Sequence, residues 1–73
     1  MTLAETSPGA RVRIAGFSEG MPNSQREYLQ AYGLMPEKWV HVVQHSPVTV
    51  VQVEHTELAM EAEMARKVRV LEK

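Results

Sequence analysis

The sequence predicts a small, mostly β domain in which five short strands close into a barrel, with one helix inserted early in the chain. Three observations predict it: short segments of alternating apolar and polar residues, one sharply delimited helical segment, and a length of 73 residues. A sheet this small cannot protect its two edge strands in other ways, and closure removes them. Residues 1–73 are expected to form a single domain, because a chain of this length builds one thin core.

The early strands are predicted from alternation between turn signals. Residues 10–17 follow a Pro-Gly turn and alternate apolar residues with arginine, which is the period of a half-buried strand. Residues 38–45 are rich in valine, Ser46-Pro47 interrupts them, and residues 48–54 read as the return strand of a hairpin. Val50 and Val51 are adjacent, so periodicity alone leaves open which side of that strand faces the core.

A helix is expected over about residues 24–32. Ser24 and Glu27 have the spacing of a capping box, in which each side chain satisfies a free backbone donor. Gly33 then occupies the position where a left-handed residue ends a helix. With Gly33 at that position, Leu29 and Leu34 are the pair expected to touch in a Schellman motif.

The last quarter of the chain supports two interpretations. Residues 56–67 are dense in strong helix formers, so propensity alone predicts one long helix. The alternative is a short strand over 57–60, a single helical turn over 61–65 and a final strand over 66–71. The clean alternation in the final segment favours the strand there, but local preference leaves the remainder open.

Composition narrows the functional classes. Lys and Arg total 8 against 9 Asp and Glu, a net charge of −1, whereas nucleic-acid binders generally carry a basic excess. The chain has no cysteine, which fits a reducing, cytoplasmic setting. We see neither a signal peptide nor an apolar run near the ~20 residues of a membrane helix, so no membrane insertion is expected.

Catalysis is not expected. Nucleophilic mechanisms need a Ser or Cys beside a base, and the serines here lie in predicted turns and caps. Glu61 and Glu63 are two residues apart on a one-turn helix, so they do not face each other. There is no glycine-rich phosphate loop, and no cofactor is predicted.

The histidines offer a weak metal hypothesis. His41 and His45 have the same parity on one strand and would lie on one face, roughly 13 Å apart at ~3.3 Å per residue. His41 and His55 could approach across the hairpin and recruit Glu54 or Glu57. Divalent metals need three or four ligands in a fixed shell, so solvent-exposed histidines are the favoured interpretation.

The aromatic residues point more clearly to a contact surface. If Val40 and Val42 face the core, alternation turns Trp39 outward, where an apolar patch would mark a binding site. The alternative is that Trp39 folds over the helix end and covers the core edge. The candidate partner-binding residues are therefore Tyr28, Tyr32, Met35, Pro36 and Trp39.

Several segments together resemble one known family. The segments, in chain order, are Ser7-Pro8-Gly9, Arg13-Ile14-Ala15-Gly16-Phe17, Tyr32-Gly33-Leu34-Met35-Pro36, Ser46-Pro47 and Leu58-Ala59-Met60. Their order and spacing resemble the ferrous iron transport protein A (FeoA) family, whose domain also occurs at the C-terminus of iron-dependent repressors. The resemblance implies an SH3-like barrel with a helix between strands 1 and 2 and a one-turn helix before the last strand. It thereby disfavours the long C-terminal helix.

The resemblance also implies a core and a function. The implied core comprises Val12, Ile14, Leu29, Leu34, Val40, Val42, Val51, Val53, Leu58, Met60, Ala65, Val68 and Val70. Met21, Met35 and Met64 are left as candidates for surface contacts. Family members are cytosolic regulators that dock on a ferrous iron permease carrying a cytosolic GTPase domain. Direct transition-metal binding, as in a metallochaperone, is the alternative, and oligomeric state stays open.

The chain departs from the family pattern at two turns. Glu37 stands where the family usually has glycine after the signature proline, so that turn is expected to be built differently. The hairpin before Thr56 is shortened and carries His55 instead of glycine. Contacts at that tip are therefore not carried over from the family.

Overall fold

The computed structural model describes residues 1–71 as one five-stranded antiparallel sheet with two α-helices. The sheet order is β4-β3-β2-β1-β5. The elements in chain order are a 3-10 turn (Leu3–Glu5), β1 (Arg11–Phe17), α1 (Asn23–Ala31), β2 (Trp39–Gln44), β3 (Thr49–Val53), β4 (Thr56–Met60), α2 (Ala62–Ala65) and β5 (Val68–Leu71). This is the predicted small SH3-like architecture, with α1 inserted between the first two strands and α2 before the last.

The core is the one that the family resemblance implied, with two additions. All thirteen predicted core residues are buried. Leu3 and Met21 are buried with them, so the expectation that Met21 lines a surface contact is wrong. Met21 lies in the turn that leads into α1, where its N–H donates to the Ser18 carbonyl at 3.1 Å. A thin core gains from each such side chain, because burying one contributes about 1.5–3 kcal/mol.

Strand pairing shows that the last quarter of the chain forms two strands around a short helix and not one long helix. β4 pairs with β3 along its whole length, from Thr49 opposite Met60 to Val53 opposite Thr56. Leu58 and Met60 of β4 face the core, so the strand buries its apolar side chains against the rest of the sheet. Tertiary packing thus overrides the high helix propensity of this segment, and only the four residues of α2 become helical.

Helix α1 begins differently from the prediction. The N-cap is Pro22, no side chain caps this end, and Ser24 lies inside the first turn, so the expected capping box with Glu27 is absent. Pro22 has φ −60° and ψ 147°, an extended conformation from which its carbonyl accepts the N–H of Arg26 at 3.1 Å. The first turn is tied instead by Arg26, whose Nη1 donates to Asn23 Oδ1 at 2.8 Å.

The end of α1 is the predicted Schellman motif. Gly33 has φ +95°, the left-handed conformation that glycine adopts without steric cost. The Leu34 N–H donates to the Leu29 carbonyl at 3.0 Å, and the Gly33 N–H donates to the Gln30 carbonyl at 3.0 Å. Leu29 and Leu34 are both fully buried, so the helix end is fixed to the core.

The turn at Glu37 has the geometry of a glycine turn without glycine. Glu37 has φ 76°, so the expectation of a differently built turn is wrong: the glutamate takes up the left-handed conformation itself. Two backbone hydrogen bonds hold it there: the Glu37 N–H donates to the Ile14 carbonyl at 2.7 Å, and the Ile14 N–H donates to the Lys38 carbonyl at 2.8 Å. A non-glycine residue in this region costs about 1–2 kcal/mol, which the strand contacts offset.

Two bulges reset the side-chain alternation. In β2, Val42 pairs with Val51 and Gln44 pairs with Val50, so Val43 is an extra residue. The register of β1 against β5 shifts in the same way at Ala15. Because a bulge adds one residue to one strand, the side chains beyond it point to the opposite face from that expected by counting.

The two edge strands of the sheet, β5 and β4, are covered by different parts of the chain. The outer side of β5 is covered by the N-terminal segment: Thr2 bridges to Arg69, and the Val70 N–H donates to the Met1 carbonyl at 3.0 Å. At the other end, the Tyr28 hydroxyl of α1 reaches the Ala59 carbonyl of β4. Within residues 1–71, no helix is long and apolar enough to cross a membrane.

Candidate partner-binding surface

Helix α1 presents a tyrosine pair on its exposed side. Tyr28 and Tyr32 are four residues apart, so they project from neighbouring turns of the same face. Their ring centroids lie 5.2 Å apart with an interplanar angle of 66°, an edge-to-face contact. They are 41% and 50% exposed, although the Tyr28 hydroxyl donates to the Ala59 carbonyl at 3.4 Å. The pair is therefore preorganised and still available to a partner.

Met35 and Pro36 lie in the short turn between α1 and β2. Both are exposed, and the turn is closed by the Lys38 N–H, which donates to the Met35 carbonyl at 3.1 Å. The preceding residue Leu34 is fully buried, and Glu37 is bonded to β1, so both ends of the turn are anchored. The apolar side chains of Met35 and Pro36 are thus displayed from a fixed backbone.

Trp39 points outward from the start of β2. It is 42% exposed while its neighbour Val40 is buried, which decides between the two alternatives in favour of the outer face. The guanidinium of Arg11 covers the indole, with Cζ 5.6 Å from the ring centroid. A cation over an aromatic face at this distance contributes about 0.5–1 kcal/mol at an exposed site. Sequence alternation signalled the outward Trp39, but not Arg11 as its partner.

The five candidate residues form two groups. Tyr28 and Tyr32 are in direct contact, and Met35 and Pro36 follow them directly along the chain. Trp39 comes next along the chain, but for residues 1–71 no aromatic contact joins it to either tyrosine. We call the set Tyr28, Tyr32, Met35, Pro36 and Trp39 the aromatic patch.

The histidines do not share a face. His41 is exposed on the outer side of the sheet, whereas the bulge at Val43 turns His45 toward Thr49, which faces the core. The expectation that His41 and His45 lie on one face is therefore wrong. His55 is exposed in the hairpin turn between β3 and β4. In the part of the chain that the structure describes, no three His, Asp or Glu side chains are grouped closely enough to hold a metal ion.

His45 instead links the N-terminal segment to β3. Its Nε2 lies 2.7 Å from the Thr6 carbonyl oxygen, which can only accept, so Nε2 carries the proton. Nδ1 then accepts from the Thr49 hydroxyl at 3.1 Å. The Thr6 hydroxyl donates to the Leu3 carbonyl at 2.7 Å, which closes the network. The bulge at Val43 that makes this contact possible had no clear signal in the sequence.

The strand order and the placement of the two helices identify the fold class of the protein. The strand order, the helix inserted after β1 and the helical turn before β5 make an SH3-like fold, and its distinctive side chains lie on the outer surface. The chain belongs to the FeoA family: the family model described as the FeoA domain matches residues 1–72. No curated protein sequence matches it.

Solved structures share the fold. The solution structure of the FeoA protein from Chlorobium tepidum has a TM-score of 0.83 and 23% identity, covering 96% of this chain and 68% of that one. The crystal structure of Stenotrophomonas maltophilia FeoA complexed with zinc, described as a prokaryotic SH3 domain protein, has a TM-score of 0.81 and 25% identity. It covers 96% of this chain and 88% of that one. A manganese-dependent transcriptional repressor has a TM-score of 0.86 and 14% identity, covering 100% of this chain but only 41% of the repressor.

Proposed function

We propose that this chain is a cytosolic, non-catalytic docking protein of ferrous iron uptake. It would bind the cytosolic GTPase domain of a membrane iron permease through the aromatic patch and so regulate the permease. The single observation that carries the proposal is an exposed, backbone-anchored set of aromatic and apolar side chains on a FeoA-family fold. Tyr and Trp are enriched among the residues that contribute most binding energy, and Met is enriched at protein interfaces in general.

The geometry of the patch suits association. The tyrosine pair is already packed edge to face, and Met35 and Pro36 sit on a turn held at both ends. Ordering rotamer-rich side chains costs about 0.5–1.5 kcal/mol each on binding, so a patch that is ordered beforehand retains more of its contact energy. The Arg11 guanidinium stacked on the Trp39 ring at 5.6 Å favours one orientation of the indole in the same way.

Descriptions of similar proteins support the link to iron. The Stenotrophomonas maltophilia protein is described as a candidate activating factor of bacterial ferrous iron transport. A Clostridium thermocellum protein with a TM-score of 0.83 and 22% identity is described as iron(II) transport protein A. We carry the iron uptake role to this chain as part of the proposal, together with its family membership.

An NMR titration tests the docking. The ¹⁵N-labelled chain is titrated with the cytosolic GTPase domain of the permease, and amide shifts are expected from Tyr28 to Trp39. Tyr32→Ala and Trp39→Ala should each weaken binding about tenfold or more, the size of a typical interface hot spot. Val43→Ala is the matched control, because Val43 is also an exposed apolar residue of β2 but lies outside the patch. No shift at any residue, or equal loss in all three variants, would overturn the proposal.

Direct metal binding is the second candidate, motivated by the zinc complex of the Stenotrophomonas maltophilia protein. In this chain it has less support, since among residues 1–71 no group of three His, Asp or Glu side chains could hold a metal ion. Both ring nitrogens of His45 are also engaged in hydrogen bonds. Calorimetry with Zn²⁺ or Fe²⁺ tests it: tight binding that disappears in the His41→Ala, His55→Ala double variant would favour metal binding through these residues.

A further inference from the structure

The outer face of β5, β1 and β2 carries three arginines beside two large apolar side chains. Arg13 of β1 pairs with Leu71 on β5 and with Trp39 on β2, so these three residues form one row across the sheet. Arg11 is the next outward residue along β1 and covers Trp39. Arg69 is the next outward residue along β5. We call Arg11, Arg13, Arg69, Trp39 and Leu71 the arginine face.

Within residues 1–71 no carboxylate forms a salt bridge with an arginine of this face, and the Glu5 carboxylate, which accepts the Thr2 N–H at 2.7 Å, lies beside its edge. β1, β2 and β5 contain neither Asp nor Glu, and the salt bridge of residues 1–71 joins Lys38 to Glu54, off the face. The whole chain nevertheless has a net charge of −1, so any excess of positive charge on this face is local. Three neighbouring cations repel one another, and a local field of one sign on a nearly neutral protein attracts a ligand of opposite charge.

A groove opens at the edge of the arginine face. It has a volume of about 460 Å³ and is lined by Met1, Thr2, Ala15, Arg69, Val70 and Leu71. It lies beside the β1 bulge, whose extra residue is the small Ala15. Leu71, which is 47% exposed, supplies an apolar wall, and Arg69 supplies a cationic one.

The spacing of the cations matches an extended peptide. Arg11 and Arg13 are two residues apart on one strand, which places them roughly 6.6 Å apart along it. Carboxylates at alternate positions of an extended segment have the same spacing. Guanidinium groups bind carboxylates in a planar, two-pronged geometry, and stacking on Trp39 already orients the Arg11 group.

We propose that the arginine face binds an extended acidic segment of a partner protein, with its carboxylates on Arg11, Arg13 and Arg69 and an apolar side chain in the groove. The interleaved apolar residues favour a protein segment over a polyphosphate backbone, which would leave Leu71 and the groove without a partner. The nearly neutral chain also lacks the broad basic surface that nucleic-acid binding needs. This site is additional to docking through the aromatic patch, with which it shares only Trp39.

The single tryptophan of the chain provides a direct readout, because it lies within the face. The probe is a short peptide of alternating glutamate and valine, and the matched peptide replaces each glutamate by glutamine. The acidic peptide should change the Trp39 fluorescence and shift amide signals on β1 and β5. Added salt should weaken binding of the peptide. Equal binding of the glutamine peptide would overturn the proposal.

Two charge-matched triple variants locate the site. The first triple variant, Arg11→Gln with Arg13→Gln and Arg69→Gln, should bind the acidic peptide about tenfold or more weakly. Its binding is followed by amide shifts instead of fluorescence. The control triple variant removes the same charge elsewhere and should stay within about twofold: Arg26→Gln, Arg66→Gln and Lys67→Gln. Amide spectra of both variants establish that they are folded. Equal losses in the two variants contradict the site.

Two further measurements separate this proposal from its competitors. Stronger binding to single-stranded DNA or to anionic phosphatidylserine vesicles than to the acidic peptide would overturn the protein segment as occupant. Tyr32→Ala should leave peptide binding unchanged, because Tyr32 belongs to the aromatic patch alone. Loss of permease docking in that variant with intact peptide binding therefore distinguishes the two surfaces, and either proposal can fail without the other.

Discussion

Replacing His45 by alanine should destabilise the fold by about 2–4 kcal/mol. The hydrogen bond from Nε2 to the Thr6 carbonyl, at 2.7 Å, contributes about 0.5–1.5 kcal/mol net. Thr49 is only 1% exposed, and for residues 1–71 the hydrogen bond recorded for its hydroxyl is the one to Nδ1 at 3.1 Å. Truncating the ring leaves that buried hydroxyl without a partner, which costs about 1–3 kcal/mol. The sum is a large part of the stability of so small a domain.

Thermal and guanidinium unfolding measure the effect. For a domain of this size 1 kcal/mol shifts the melting temperature by about 4–8 °C, so a loss of about 2–4 kcal/mol should lower it by roughly 8–32 °C. His41→Ala is the matched control, since it removes the same ring from the exposed face of the adjoining strand β2 and should change stability by less than about 0.5 kcal/mol. Equal effects of the two substitutions would refute the reasoning.

A double-mutant cycle isolates the contact between His45 and Thr49. Thr49→Val removes the hydroxyl while keeping its volume, and the cycle with His45→Ala should give a coupling energy of about 1 kcal/mol. Nitrogen NMR shifts should also show the tautomer with the proton on Nε2, since Thr6 offers only a carbonyl there. A coupling near zero, or a proton on Nδ1, means that the network is not as described.

Three further changes test the backbone and the surface, each by chemical denaturation. Glu37→Gly should raise the free energy of unfolding by about 0.5–1 kcal/mol, because relief of the strain at φ 76° exceeds the added freedom of the unfolded chain; lower stability would contradict that strain. Gly33→Ala should lower the free energy of unfolding by about 1–2 kcal/mol, because Gly33 has φ +95°. The added Cβ would lie 3.7 Å from Val53 Cγ1, an ordinary contact, so a much larger loss would indicate a steric clash instead of backbone strain. Lys38→Gln should change the free energy of unfolding by less than about 1 kcal/mol, because the 3.0 Å ion pair with Glu54 is 41% and 69% exposed, and the difference should vanish in high salt.

Much of the fold could be predicted because its signals are local. Alternation indicated the inward residues of β1, β2 and β5, but not those of β3, where Val50 and Val51 are adjacent. Gly33 with Leu34 specified the end of α1. The segment from Thr56 to Lys67 was different, since its composition favours helix and its strand is held only by pairing with β3. Non-local pairing is not visible in one sequence, and there the family resemblance supplied what propensity could not.

The candidate sites were predictable only where parity was uninterrupted. Trp39 lies before the β2 bulge, and its outward direction followed from counting. His45 lies after Val43, and the same counting placed it on the wrong face. Arg69 was missed as part of a cationic face for a related reason: the chain places it far from Arg11 and Arg13, and only the β1–β5 pairing brings them together.

The strain at Glu37 has a structural consequence for the aromatic patch. The left-handed residue lets one short turn leave the buried Leu34 and return to the sheet in time for its N–H to bond Ile14. A relaxed conformation at this position would lengthen the turn and separate Met35 from the start of β2. The proposed docking surface thus depends on the strained Glu37 backbone, which β1 holds in place. Displacement of β1 from this turn should therefore both disorder the aromatic patch and weaken docking. Hydrogen exchange at the Glu37 amide measures that coupling: protection as high as that of the core strands is expected, and exchange as fast as in a free loop would contradict it.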